Sequence, residues 1–108
     1  MKKLIIKNRN KIFFVDFDDI ISLNSCGRYT TIITEEKEYM VCKNLGLMEK
    51  ELPENFFRIH HSTIINIHRI FIINCREIHM SSGHSYKIAK GRKKETIDYI
   101  SHFRDNSS

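Results

Sequence analysis

At 108 residues the chain fits one domain, large enough to bury a core without disulfide or metal staples. A hydrophobic fraction of 41% beside 29% charged residues argues against disorder, and no apolar run is long enough to span a bilayer as a helix. Eighteen Lys and Arg against 13 Asp and Glu leave a net charge of +5, which favours an anionic partner such as nucleic acid or an acidic surface.

In chain order, short β-branched and aromatic runs alternate with turn residues, the pattern of an all-β sandwich or barrel. Leu4–Lys7 reads as a strand, Asn8-Arg9-Asn10 as a turn and Lys11–Val15 as its partner. Asp16, Asp18 and Asp19 follow between two strand patterns, where Asx turns are expected rather than an acid–base or metal site. Asp19–Asn24 is a strand, Gly27 breaks the chain, Arg28–Thr34 returns, and Glu35-Glu36-Lys37 turns into Glu38–Val41. Asn44 is placed to cap a short helix over Leu45–Leu52, with Leu45, Met48 and Leu52 at helical spacing and Pro53 ending it. Phe57–His60, Ile64–Asn66 and Ile70–Cys75 read as strands, and Glu77–Met80 and Ser85–Ile88 as a hairpin around Ser81-Ser82-Gly83-His84. A last helix, about 93–103, puts Ile97, Ile100 and Phe103 on one side. One domain is expected over residues 1–104, with a frayed tail at 105–108.

The segment from Phe56 to Asn66 carries the most information. It sets Arg58, His60, His61, Ser62 and Asn66 inside a run otherwise rich in Phe and Ile, which suggests a polar elbow on a rigid strand scaffold. Basic residues crowd two other places: Lys2, Lys3, Lys7, Arg9 and Lys11 near the start, and Lys87, Lys90, Arg92, Lys93 and Lys94 before the last helix. Phe13, Phe14, Phe56, Phe57, Phe71 and Tyr86 sit in apolar runs and read as core, not as base-stacking platforms. The exposed inventory is therefore Lys, Arg, His, Asn and Ser, which suits phosphate clamping and the major-groove edges of duplex DNA.

Other chemistries find little support. The six His residues show no metal-ligand spacing, and Cys26, Cys42 and Cys75 are odd in number and irregularly placed. No phosphate loop or nucleophile motif is present, so no cofactor, metal or enzyme activity is expected. Free thiols without a signal peptide suit a reducing cytoplasm. A β-rich protein-interaction module with a basic face, or a small RNA-binding domain, remain as alternatives to DNA binding.

Three blocks together resemble the LytTR family, the DNA-binding output domains of bacterial response regulators. The first runs from Asp19 to Thr34 through Gly27-Arg28-Tyr29; the second is Phe57-Arg58-Ile59-His60-His61-Ser62-Thr63-Ile64-Ile65-Asn66; the third is Tyr86-Lys87-Ile88-Ala89-Lys90-Gly91-Arg92. The second block is the specific one. The resemblance implies a mainly β, elongated antiparallel sheet or sandwich with one short internal helix and a C-terminal helix, reading DNA through loops. It implies DNA-facing roles for Arg28, His61 and Lys90, and it adds as DNA-binding candidates Arg58, Ser62 and Asn66 on motif positions, the last two in structural or phosphate-positioning roles, and Arg92 and Lys93 at the last loop, Arg92 in place of the missing cation. Position 28 carries Arg where the family commonly has Asn, position 61 carries His where Arg or Lys is frequent, and the third block lacks the usual Ser and paired Arg. By the same resemblance the partners are double-stranded DNA at promoter repeats, a second copy on that DNA, and a receiver domain or sensor that this chain has no room for.

Overall fold

A computed structural model describes residues 3–107, with side chains described through residue 103. All pairing is antiparallel. Strands β1 (Lys3–Asn8) and β2 (Lys11–Asp16) form a two-stranded sheet. β3 (Ile20–Cys26), β4 (Tyr29–Thr34), β5 (Glu38–Val41), β6 (Phe56–His60) and β7 (Thr63–Asn66) form the central sheet in the order β5-β4-β3-β7-β6. β8 (Ile70–Asn74), β9 (Glu77–Met80) and β10 (Ser85–Lys87) form the third, ordered β10-β9-β8. Helix α1 (Leu45–Glu49) joins β5 to β6, and α2 (Lys93–Ser107) closes the chain. The molecule measures 42 × 31 × 24 Å, so the mainly β, elongated and antiparallel fold expected from the sequence is the one found.

The central sheet has a hydrophobic core on each face. Leu23, Ile32 and Ile64 pack against Leu4, Ile6 and Val15 of the first hairpin and Leu45 and Met48 of α1. On the other face, Ile21, Ile59 and Ile65 pack against Ile78, Met80 and Ile88, with Tyr99, Ile100 and Phe103 of α2 alongside. Alternation lets β3 serve both cores, and a register shift between Ile20 and Ser22 changes which of its residues share a face. It sends Ile20 and Leu23 to one side, and Ile21 to the other. The two basic blocks of the sequence consequently ride on layers packed against opposite faces of this sheet, not on one continuous face.

Several expectations need correction. Phe14 and Phe71 are 59% and 77% exposed and not core, whereas Phe56 is buried and Phe13, Phe57 and Tyr86 are half-buried. Their runs, Ile12-Phe13-Phe14-Val15 and Ile70-Phe71-Ile72-Ile73, are apolar at every position, so alternation could not mark the outward side chains. The Asp cluster forms no Asx turn: Phe17–Asp19 is a single 3-10 turn without a side-chain cap. Asp16 instead pairs with Lys3 at 3.0 Å and Asp19 with Arg69 at 3.9 Å. Helix α1 begins as read, with Asn44 Oδ1 accepting from Leu47 N at 2.9 Å, but its regular span stops at Glu49. The helix α2 backbone continues to Ser107, while the side chains of 104–107 and the whole of Ser108, where fraying was expected, lie outside the described residues.

Candidate nucleic-acid interface

Two backbone hydrogen bonds tie three sequence-distant loops into one edge. Ser25 N, just before the β3–β4 turn, donates to Ser62 O in the β6–β7 elbow at 2.9 Å. Ala89 N, in the loop before α2, donates to Ile59 O at 2.8 Å. The second contact depends on a register shift between Arg58 and His60, which takes Ile59 out of the β6–β7 ladder and leaves its carbonyl for the third loop. The outer loops turn on Gly27 at φ +63° and Gly91 at φ +88°, a region that L side chains enter only at a cost.

The elbow is internally braced. Ser62 N donates to His60 Nδ1 at 3.2 Å, and Ser62 Oγ lies 2.9 Å from the same nitrogen. Because an amide can only donate, Nδ1 is the acceptor and the proton of the neutral ring belongs on Nε2. The His60 and His61 rings lie 4.2 Å apart. Arg58 reaches across the turn: Nη2 donates to His61 O at 2.5 Å and Nη1 to Glu49 Oε1 of α1 at 3.3 Å. Its fork therefore fixes the elbow to the helix, leaving His61 exposed at the tip.

Other sequence candidates divide in the same way. Asn66 is fully buried. Its Nδ2 donates to Ile20 O at 2.9 Å, and its Oδ1 accepts from Asn55 Nδ2 at 2.8 Å and His68 N at 3.0 Å, so it is a core bracket that no ligand reaches. Arg92 is half-buried, with Nε on Glu95 Oε1 at 3.2 Å and its guanidinium 5.5 Å from the Phe57 ring centre. Phe57 in turn stacks on Tyr99 at 4.4 Å, which seats α2 against β6. Arg28, Lys90 and Lys93 are exposed, and none has an ion-pair partner among the described residues. Cys26 is a free, exposed thiol at the end of β3.

Beneath the loops runs a polar chain that the sequence reading passed over. Thr63 Oγ1 donates to Asn24 Oδ1 at 3.2 Å, Asn24 Nδ2 to Ser22 Oγ at 3.1 Å, and Ser22 Oγ meets Tyr86 Oη at 2.5 Å. It links β7, β3 and β10. Its signal was legible in Ile20-Ile21-Ser22-Leu23, where a Ser interrupts an apolar run and must find a partner if buried.

An antiparallel β domain that presents braced loops and unpaired cations along one edge is suited to meet an anionic partner such as nucleic acid. Residues 10–101 match the family of the LytTr DNA-binding domain, and the chain belongs to that family. The transcriptional regulatory protein NatR of Bacillus subtilis is 38% identical over 69 residues, covering 63% of this chain and 30% of that protein. The sensory transduction protein LytR of Staphylococcus epidermidis is 38% identical over 64 residues, covering 58% of this chain and 25% of that protein. The matches thus span less than a third of those relatives' length. A solved LytTr DNA-binding domain from Bacillus cereus shares the fold, with a TM-score of 0.72 at 22% identity over 97% of this chain and 95% of that one. The chain is accordingly a DNA-binding domain of the kind carried by transcriptional regulators. No helix among the described residues is long and apolar enough to cross a membrane.

Proposed function

We propose that the domain reads specific duplex DNA through Arg28, His61, Lys90 and Lys93, and that it controls transcription from promoter repeats in the cytoplasm. Arg28 offers the planar fork that suits a guanine edge, while Lys90 and Lys93 act as point charges for phosphates. Arg58, Ser62, Asn66 and Arg92 hold these loops in place from behind. Two copies occupy paired repeats, and a receiver or sensor joined to the domain, or bound to it, supplies the signal. The domain itself carries out no reaction.

The observation that supports this reading most directly is the pair of hydrogen bonds from Ser25 to Ser62 and from Ala89 to Ile59, which hold the three loops together. The test is selection from random-sequence duplex DNA, followed by salt titration on the winning site. An enriched motif is expected, and with the two free lysines on phosphates the slope of log K against log salt should be about −2. Arg28→Ala should relax one position of the motif and cost about 1–3 kcal/mol. Lys90→Ala should weaken all sites alike and reduce the slope by about one. Binding without enrichment, or displacement of the DNA by RNA at equal concentration, would sink the proposal.

A further inference from the structure

The first hairpin has an outward face that the DNA-facing edge does not use. Its register is Lys3↔Asp16, Ile5↔Phe14 and Lys7↔Ile12, and with Leu4, Ile6 and Val15 turned into the core these six side chains point away from it. The centre of the face is apolar, with Ile5, Ile12 and Phe14 exposed by 42%, 55% and 59%. Lys7 and Arg9 border it at the turn end, and their side chains have no ion-pair partner among the described residues, whereas Lys11, opposite Asn8, lies on the side of Phe13 and Val15. Arg9 sits at φ +58°, a turn position that favours Gly or Asn, so a cation is kept at the tip against the preference of the backbone.

We propose that this face docks a short segment of a partner protein in which carboxylates lie on one side of a large apolar side chain, the side that meets the hairpin turn. Two free cations at one end of an apolar centre call for that complement. The size of the face agrees: two six-residue strands cover about 20 Å by 10 Å. That is far below the roughly 800 Å² per partner of a standard protein interface, so a second copy has too little to hold here. Duplex DNA has no use for three exposed apolar side chains. An anionic bilayer would be repelled at the other end of the hairpin, where a groove beside Phe14 is lined by Asp16, Asp19, Glu35 and Glu36.

The face also stands clear of the loops. Phe13 packs on Tyr39 at 5.0 Å, with Lys37 Nζ 4.8 Å from both rings. These contacts lie at the β4–β5 turn, the end of β4 away from Gly27 and Arg28. The hairpin packs on the face of the central sheet opposite β9 and α2. A partner held here leaves the DNA edge open, so the surface can join a bound domain to other machinery.

The test is selection of a random-peptide display library against the full chain, with the amide resonances of the labelled protein read during titration of the winning peptide. The expected winners combine Asp or Glu with an aromatic or large aliphatic residue, and they shift β1 and β2 while leaving the loops at 26–29, 60–63 and 89–92 unmoved. Phe14→Ser and Lys7→Glu should each weaken the peptide about tenfold or more and leave DNA affinity unchanged. Both side chains are exposed, so neither variant should disturb the fold, and an unaltered spectrum outside the hairpin checks this. Winners without acids, winners that map elsewhere, or no winners would overturn the proposal. So would hairpin shifts produced by random duplex DNA, by phosphatidylglycerol vesicles, or by raising the protein concentration alone; these would reassign the face to nucleic acid, lipid or a second copy.

Discussion

Asn66 gives the sharpest test of which motif residues hold the fold and which meet DNA. Asn66→Ala removes three hydrogen bonds, a buried one to Ile20 O and two part-buried ones to His68 N and Asn55 Nδ2, all at 3.0 Å or less. At about 1 kcal/mol net for each, the loss is about 3 kcal/mol, more if the abandoned Ile20 carbonyl finds no water. For a domain of this length that lowers the melting temperature by roughly 15 °C. Urea unfolding followed by far-ultraviolet circular dichroism measures the stability loss, and DNA affinity is taken well below the new melting point. Affinity should be unchanged there, because the side chain is fully buried. A variant that keeps its stability within about 1 kcal/mol of the parent but loses DNA binding would refute the assignment and put Asn66 on the DNA.

Arg58→Lys should weaken DNA binding several-fold with little change in the salt slope, because Lys cannot bridge His61 O and Glu49 as the fork does; a fall of a full unit in the slope would instead mark Arg58 as a phosphate ligand. Tyr99 has its pKa raised above 10.0, first by burial and then by the nearby Glu54, and its hydroxyl donates to Glu54 O at 2.7 Å. Because the folded state holds that proton more tightly, the contribution is fully present below the unfolded value of about 10 and is lost as pH rises through the folded value. Tyr99→Phe should therefore flatten part of the stability decline above that pH in alkaline denaturation curves, and an identical decline in both proteins would discount the effect.

Much of the fold could be read from local pattern. Asn44 marked the start of α1, Gly27 the β3–β4 turn, and the Phe- and Ile-rich flanks of the elbow a strand scaffold, which proves to be buried on both faces. What could not be read was direction, wherever neighbours were all apolar: Phe14 and Phe71 look no different from Phe13 and Ile73 in a run without alternation, yet they point outward. The register shift at Ile20 was equally invisible, since it is a property of the pairing between strands and not of one strand's residues. Proximity was the third gap. The resemblance put Arg28 and Lys90 foremost among the cations, with Arg58 and Arg92 beside them, and nothing local showed that Glu49 would meet Arg58, or Glu95 and the Phe57 ring Arg92.

That division of the cations has its own logic. A guanidinium binds through a fixed planar fork, so Arg58 can hold a turn carbonyl and a helix carboxylate at once, and Arg92 can lie over an aromatic face while bonding its own helix. An ammonium on a flexible stem does neither well, but it can follow a phosphate through small changes in DNA path. The chain accordingly leaves Lys90 and Lys93 free on the edge and uses two of its nearby arginines behind it. Arg28 is the exception, an arginine left unpaired on a turn that Gly27 makes tight. An unpaired fork presented on a braced loop has the geometry to discriminate bases, not merely to attract backbone. Among the exposed residues of the edge, sequence preference should therefore rest chiefly on Arg28, and affinity on the lysines.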